Sequence, residues 1–211
     1  MVDEKGQVVT AATFIPAAER YNLMPEIDRW VIRQFLASQF NPPQIAPTGS
    51  AQPSPYMINL SGASIGDEQF LVFLQEQFHQ YPFAPAQICF EITETAAISN
   101  LKQATKFIKV MKQLGCRFAL DDFGSGLSSF AYLKTLPVDY LKIDGQFIQD
   151  MLKDPATRAI VESINTIGHV MGLKTIAESV GDLSTRLQLR NMGVDFVQGF
   201  GIALPCSLTY Q

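Results

Sequence analysis

The stretch Phe118-Ala119-Leu120-Asp121-Asp122, running into Phe123-Gly124-Ser125-Gly126, reads as a β-strand that delivers two carboxylates to a glycine-rich turn. The same arrangement recurs on either side of it. Upstream, Tyr56-Met57-Ile58-Asn59 and Ile88-Cys89-Phe90-Glu91 close on a polar group; downstream, Tyr140-Leu141-Lys142-Ile143-Asp144, Thr175-Ile176-Ala177-Glu178 and Phe196-Val197-Gln198 do the same. In a barrel of parallel strands the carboxyl ends meet at one face, and active sites sit there. Six strand ends offering two amides, a set of acids and one lysine to a single mouth predict a reaction centre.

Between these strand ends the pattern is helical. Amphipathic helices are expected near 66–80, 99–114, 155–171 and 182–191, with a short one near 127–135; the strands are expected at 56–60, 87–92, 117–121, 138–143, 173–177 and 194–198. Such alternation indicates parallel βα units. Gly115 and Gly172 fall just past a helix and before a strand, where a C-terminal cap belongs, and Pro155 suits the first turn of a helix. Two further helices, near 13–21 and 25–39, come first. The uncharged, proline-rich stretch 41–55 after them reads as a surface loop within a single domain covering 1–211. The expected fold is α/β and TIM-barrel-like. Its six strands fall short of the eight that close such a barrel, and 211 residues fall short of the usual ~250, so the barrel is expected to be incomplete at the N-terminus.

Composition narrows the chemistry. A chain with 47% hydrophobic residues and this length is sized for one well-buried core. No apolar run reaches the ~18 residues a membrane helix needs, and Met1-Val2-Asp3-Glu4-Lys5-Gly6 lacks the basic and apolar sections of a signal peptide, which points to the cytoplasm. Histidine occurs only at 79 and 169, in helix-like segments, which argues against a nitrogen–sulfur zinc site and a serine–histidine triad. The cysteines at 89, 116 and 206 are few and far apart and read as small apolar residues. Any metal is therefore a hard cation held through oxygen. The net charge of −4 leaves no basic footprint for duplex DNA or RNA. A small phosphorylated ligand is compatible with it, because bound cations reverse the sign of an acidic pocket.

Taken singly, each candidate has an ordinary explanation. Asp121 and Asp122 would be a capping pair before a turn, Lys142 a cation reaching out to solvent, Glu91 and Glu94 a loop pair at a helix start, and Asn59 a helix N-cap. Glu178 and Gln198 carry no signal alone. The set is what carries weight. Adjacent carboxylates at a strand end diverge by the pleat, so one or both can bridge a pair of cations, and the glycines behind them let backbone amides approach an anion. A lysine at a strand end is costly to bury unless it meets carboxylates or a phosphate. Asp-Phe-Gly also occurs in protein kinases, but neither His-Arg-Asp nor a glycine-rich phosphate loop is present.

Phe14-Ile-Pro-Ala-Ala-Glu19, Asn59-Leu-Ser61, Phe90-Glu-Ile-Thr-Glu94, Leu120-Asp-Asp-Phe-Gly-Ser-Gly-Leu-Ser-Ser129, Leu141-Lys-Ile-Asp144, Ala177-Glu178 and Gln198-Gly-Phe200 occur in an order and spacing that resemble the EAL domain. That family comprises bacterial cyclic di-GMP phosphodiesterases and their inactive relatives, and the resemblance covers nearly the whole chain. It implies a modified TIM barrel with two Mg²⁺ or Mn²⁺ ions at its mouth. Asn59, Glu91, Asp121, Asp122 and Glu178 would be the metal ligands, with Asp121 bridging. The metals would make a shared water acidic enough to attack phosphorus in line at neutral pH. Lys142 would orient that water and the phosphate, and Glu178 would help accept the proton. Asp144 and Gln198 would lie near the nucleotide, and Glu94 would position the loop after Asp122. The product would be linear pGpG.

The match has departures. The Glu-Ala-Leu tripeptide itself is not in the chain; its place lies N-terminal to Gly6-Gln7-Val8, so the first two strands and one metal-ligating glutamate are expected to be missing. Ala177-Glu178-Ser179-Val180-Gly181 stands where active members usually read Ala-Glu-Gly-Val-Glu, and Leu127 replaces the more usual tyrosine. Two expectations follow: a phosphodiesterase, or a degenerate domain that binds cyclic di-GMP or a protein partner without cleavage. The uncovered strand edges at 56–60 and 194–198 further predict association, with a homodimer as the expected form.

Overall fold

The computed structural model describes residues 4–40, 55–81, 84–124 and 130–206. Helices α1 (Ala11–Arg20) and α2 (Met24–Phe40) precede strand β1 (Tyr56–Asn59). Then come α3 (Gly62–Gly66), α4 (Glu68–Gln80), β2 (Ile88–Thr93), α5 (Glu94–Ser99), α6 (Leu101–Gln113) and β3 (Arg117–Phe123). The chain continues through β4 (Tyr140–Ile143), α7 (Gly145–Asp150), α8 (Pro155–Val170), β5 (Lys174–Ala177), α9 (Leu183–Asn191) and β6 (Phe196–Val197). The strands form one parallel six-stranded sheet whose spatial order is the chain order. It curls into a half-barrel, which is the expected α/β, TIM-barrel-like fold.

Side chains alternate between the two faces of a strand, and the two faces here have different jobs. On the face toward the helices, Phe90, Ile92, Phe118, Leu120, Leu141 and Ile143 pack with Phe70, Leu74, Phe107, Ile108, Met111 and Ile164 in one continuous core. Each such side chain contributes about 1.5–3 kcal/mol when fully buried. On the concave face, Cys89, Ala119, Tyr140 and Ile176, with Met57 against them, make a second, thinner apolar layer. Cys89 and Cys116 are buried without a disulfide, and burial pushes the Cys116 thiol up to about 12, so both act as apolar filling.

The elements depart from the sequence expectation at their ends. The helix expected at 66–80 begins only after Asp67, whose carboxylate accepts the Gln69 amide; a separate short helix, α3, is capped by Ser61. The helix expected at 99–114 is likewise divided at Asn100, which caps α6. Asp144 opens α7 by accepting the Gln146 amide, a helix the periodicity did not indicate. The short helix near 127–135 is a 3-10 turn over Phe130–Lys134, and 125–129 lie outside the described residues. Strand β6 holds only two residues instead of five. Of the proline-rich stretch 41–55, only Pro55 is among the described residues.

Candidate active site

Two residues beyond each member of the concave layer stands an expected site residue. Met57 leads to Asn59, Cys89 to Glu91, Ala119 to Asp121, Tyr140 to Lys142 and Ile176 to Glu178. Phe196, whose ring meets that of Tyr140 edge-on at 6.1 Å, leads to Gln198. The period-two geometry of strands thus lifts one polar ring above one apolar ring. The register staggers that ring: Asn59 stands opposite Glu91, but Glu91 is opposite Ala119, and Lys142 is opposite Ile176. Stagger of this kind belongs to a curling sheet.

Lys142 is the hub. Its side chain is 2% exposed, and its Nζ lies 2.7 Å from Glu91 Oε1, 2.9 Å from Asp121 Oδ1 and 2.6 Å from Glu178 Oε1. All three contacts are ion pairs, and Glu91 Oε1 is left buried and without a hydrogen-bond partner. Burial alone would lower the lysine's proton affinity; the carboxylates of Glu91, Asp121 and Glu178 more than offset it and raise the pKa above the ordinary value. On the acids the balance runs the other way. Burial raises Glu91 above its ordinary range against the opposing pull of Lys142. Burial likewise lifts Glu178 to about 7, with Lys142 opposing the rise and Asp121 and Asp122 adding to it.

Asp121 and Asp122 do not diverge. Neighbouring residues of a regular strand point to opposite faces, yet one carboxylate oxygen each from Asp121, Asp122 and Glu178 lie within 4.8 Å of one another. The cause is local: Asp122 has φ of 53°, and the pairing of β3 with β4 shifts register between Leu120 and Phe123. Aspartate is among the few residues that visit the left-handed region at modest cost. Burial, then Asp121 and then Asp144, raises the pKa of Asp122.

The remaining expected residues are distributed around this cluster. Glu94, buried at the start of α5, accepts the Gly124 amide at 3.1 Å and the Tyr132 hydroxyl, tying the end of β3 to the turn at 130–134. Asp144 is buried and occupied in part as the α7 cap. Asn59 and Gln198 are exposed at the rim. Gln198 is held through its backbone: its amide donates to Ala177 O at 2.8 Å and its carbonyl accepts from Val180 at 3.0 Å, so it rides on the loop that carries Glu178. Two contributors escaped the sequence reading. Tyr132 lies 38 positions from Glu94 with no short-range signal. Ser179 has φ of 53° and presses its hydroxyl against Gly145; its local mark in the sequence is its place beside Glu178.

The donor set fits a hard divalent cation. Carboxylate oxygens converge, one buried carboxylate oxygen lacks a hydrogen bond, and no histidine or cysteine is in the converging group. Oxygen-only ligation of this type favours hard divalent ions over soft metals.

A family model described as "EAL domain" matches residues 1–205. The chain is 41% identical over 201 residues to cyclic di-GMP phosphodiesterase PdeB of Shewanella oneidensis, covering 95% of this chain and 23% of that protein. It is 34% identical over 206 residues to cyclic di-GMP phosphodiesterase PdeF of Escherichia coli, covering 97% of this chain and 27% of that protein. The chain therefore spans about a quarter of the length of these curated relatives. Among solved structures, the FimX EAL domain from Pseudomonas aeruginosa bound to c-di-GMP superposes with a TM-score of 0.87 at 28% identity, over 100% of this chain and 83% of that one.

Proposed function

Because the chain belongs to the EAL domain family, we propose that it hydrolyses cyclic di-GMP to linear pGpG with two Mg²⁺ or Mn²⁺ ions at the mouth of the half-barrel. The observation that carries this reading is the buried Lys142 gathered among Glu91, Asp121 and Glu178, with Asp122 turned in beside them. Asn59, Glu91, Asp121, Asp122 and Glu178 would hold the ions. Bound there, the ions would neutralise the phosphodiester and make a water acidic enough to attack at neutral pH. Lys142 orients the water and the phosphate. Glu178 would help accept the water's proton. The new P–O bond forms as one P–O3′ bond breaks, and the 3′-oxygen leaves as a hydroxyl. Glu94 fixes Gly124 and with it the start of the loop after Asp122, while Asp144 and Gln198 face the nucleotide.

A second reading is favoured by Gly181. In active relatives that position usually carries an acid, and here it carries none, which fits a domain that binds cyclic di-GMP without cleaving it. One experiment separates the two. Protein incubated with cyclic di-GMP and Mn²⁺, with nucleotides then resolved by ion exchange, is expected to yield pGpG, and Asp121→Ala is expected to abolish it. Intact cyclic di-GMP retained by the protein would establish the binding reading instead.

The same proposal takes residues 1–211 as one domain, supported by a core that runs from α2 to α9. It includes a cytoplasmic location; no helix among the described residues is long and apolar enough to cross a membrane. It also includes a homodimer. Strands β1 and β6 are the outermost strands of the sheet formed by the described residues, and Phe196, Phe200 and Leu204 are exposed near β6.

A further inference from the structure

Four carboxylates face one ammonium at the mouth: Glu91, Asp121 and Glu178 in direct contact with Lys142, and Asp122 in the converging acid group. Two of these acids, Asp121 and Glu178, belong both to the lysine's contacts and to the group that would hold a cation. A carboxylate oxygen paired with an ammonium at 2.6–2.9 Å is one that a divalent ion would need at about 2.0–2.2 Å. Both cannot be fully served at once. Burying this many acids without counter-charge would also be prohibitive, since each isolated carboxylate loses its hydration.

We infer that Lys142 is the built-in counter-ion of this site: with divalent cations removed, its ammonium keeps the carboxylates assembled, and an entering cation displaces it from Asp121 and Glu178. This rests on the metal reading of the site given above and adds to Lys142 a positioning role distinct from handling water and phosphate. The geometry supplies the mechanism. The lysine reaches in from β4 between the acids of β2, β3 and the end of β5, so it touches carboxylates on three strand ends. Lys142 follows Tyr140 by two positions on the same face of β4, a strand paired on both sides, so its stem rises from the apolar layer on a fixed backbone.

The test compares wild type, Lys142→Met and Lys142→Arg, each stripped with EDTA, by thermal unfolding and by Mn²⁺ titration calorimetry without nucleotide. Lys142→Met is expected to melt lower than wild type in EDTA, to gain more from Mn²⁺, and to bind Mn²⁺ about tenfold more tightly because the competing charge is gone. Lys142→Arg keeps the charge and is expected to stay close to wild type in EDTA. If Lys142→Met is unfolded in EDTA but folds on adding Mn²⁺, the inference stands; if it is unfolded in both, the lysine is an irreplaceable structural element and the inference falls. Equal or weaker Mn²⁺ binding by a folded Lys142→Met overturns it, as does an unchanged melting point in EDTA. Absence of Mn²⁺ binding in all three proteins would instead overturn the metal reading, while the EDTA comparison would still decide whether the ammonium assembles the acids.

Discussion

Asp122 and Ser179 share a φ of 53°, and both lie at the acid cluster. Left-handed backbone costs most non-glycine residues roughly 1–2 kcal/mol, less for aspartate, so Ser179 is the more strained of the two joints. At Asp122 the strain turns a second carboxylate inward. At Ser179 the side chain fills the space above Gly145: a Cβ on Gly145 would lie 2.3 Å from Ser179 Oγ and 2.7 Å from its Cβ. Gly145→Ala is therefore expected to destabilise by about 2 kcal/mol through overpacking, measured from denaturant midpoints. Ser179→Gly relieves left-handed strain against a smaller loss of chain rigidity, for a net gain of about 0.5 kcal/mol. In the Ser179→Gly background, Gly145→Ala is expected to lose about half its cost; strict additivity would show that the two residues do not share that space. Gly181 is the opposite case, with nothing within 4 Å of an added Cβ and no left-handed φ. Gly181→Glu is expected to leave the melting point unchanged within about 0.5 kcal/mol equivalent and to strengthen Mn²⁺ binding.

The strands were legible because alternation and polar closure repeat six times along the chain, from Tyr56-Met57-Ile58-Asn59 to Phe196-Val197-Gln198. Helix boundaries were less so: Asp67 and Asn100 sit inside amphipathic runs and Asp144 directly after a strand, and they act as caps only once the neighbouring strands fix the chain's direction. The convergence of Asp121 and Asp122 was not legible either: it depends on one backbone angle that composition does not encode. The strand entries hold another pattern. Val138-Asp139-Tyr140 and Val194-Asp195-Phe196 repeat one motif at the foot of the sheet. Asp139 accepts the Phe118 amide at 2.9 Å and pairs with Lys112; Asp195 accepts the Thr175 amide at 2.9 Å and pairs with Lys174, with His169 Nε2 2.8 Å away. Each aspartate pins the start of the preceding strand. Burial would raise the pKa of Asp195, but Lys174, the Thr175 amide and His169 hold it down at about 2. A depressed carboxylate stabilises above its ordinary pKa near 3.8 and ceases to as pH falls through about 2. Asp195→Asn should therefore melt below wild type at pH 5 by the equivalent of about 1 kcal/mol, with the gap closing between pH 4 and 2.

At the scale of the molecule, β1 and β6 are the outermost strands of the described sheet, and an apolar rim lies beside β6. Open edges with exposed apolar side chains favour pairing between chains. Sedimentation velocity across a concentration series is expected to show reversible association, weakened by Phe196→Asp combined with Phe200→Asp; a monomer at every concentration would refute the dimer.

The order β1 to β6 in space is also the order in which a ribosome would release these strands. Each new strand finds its partner already made, so the sheet can grow outward from its first units without waiting for a distant segment, and nascent chains paused after β4 should already resist proteolysis in the earlier units. The reverse journey starts where growth would end. Two residues long and bonded to one neighbour, β6 has the least to hold it, and amide hydrogen exchange should spread inward from there, reaching the lysine's own strand late.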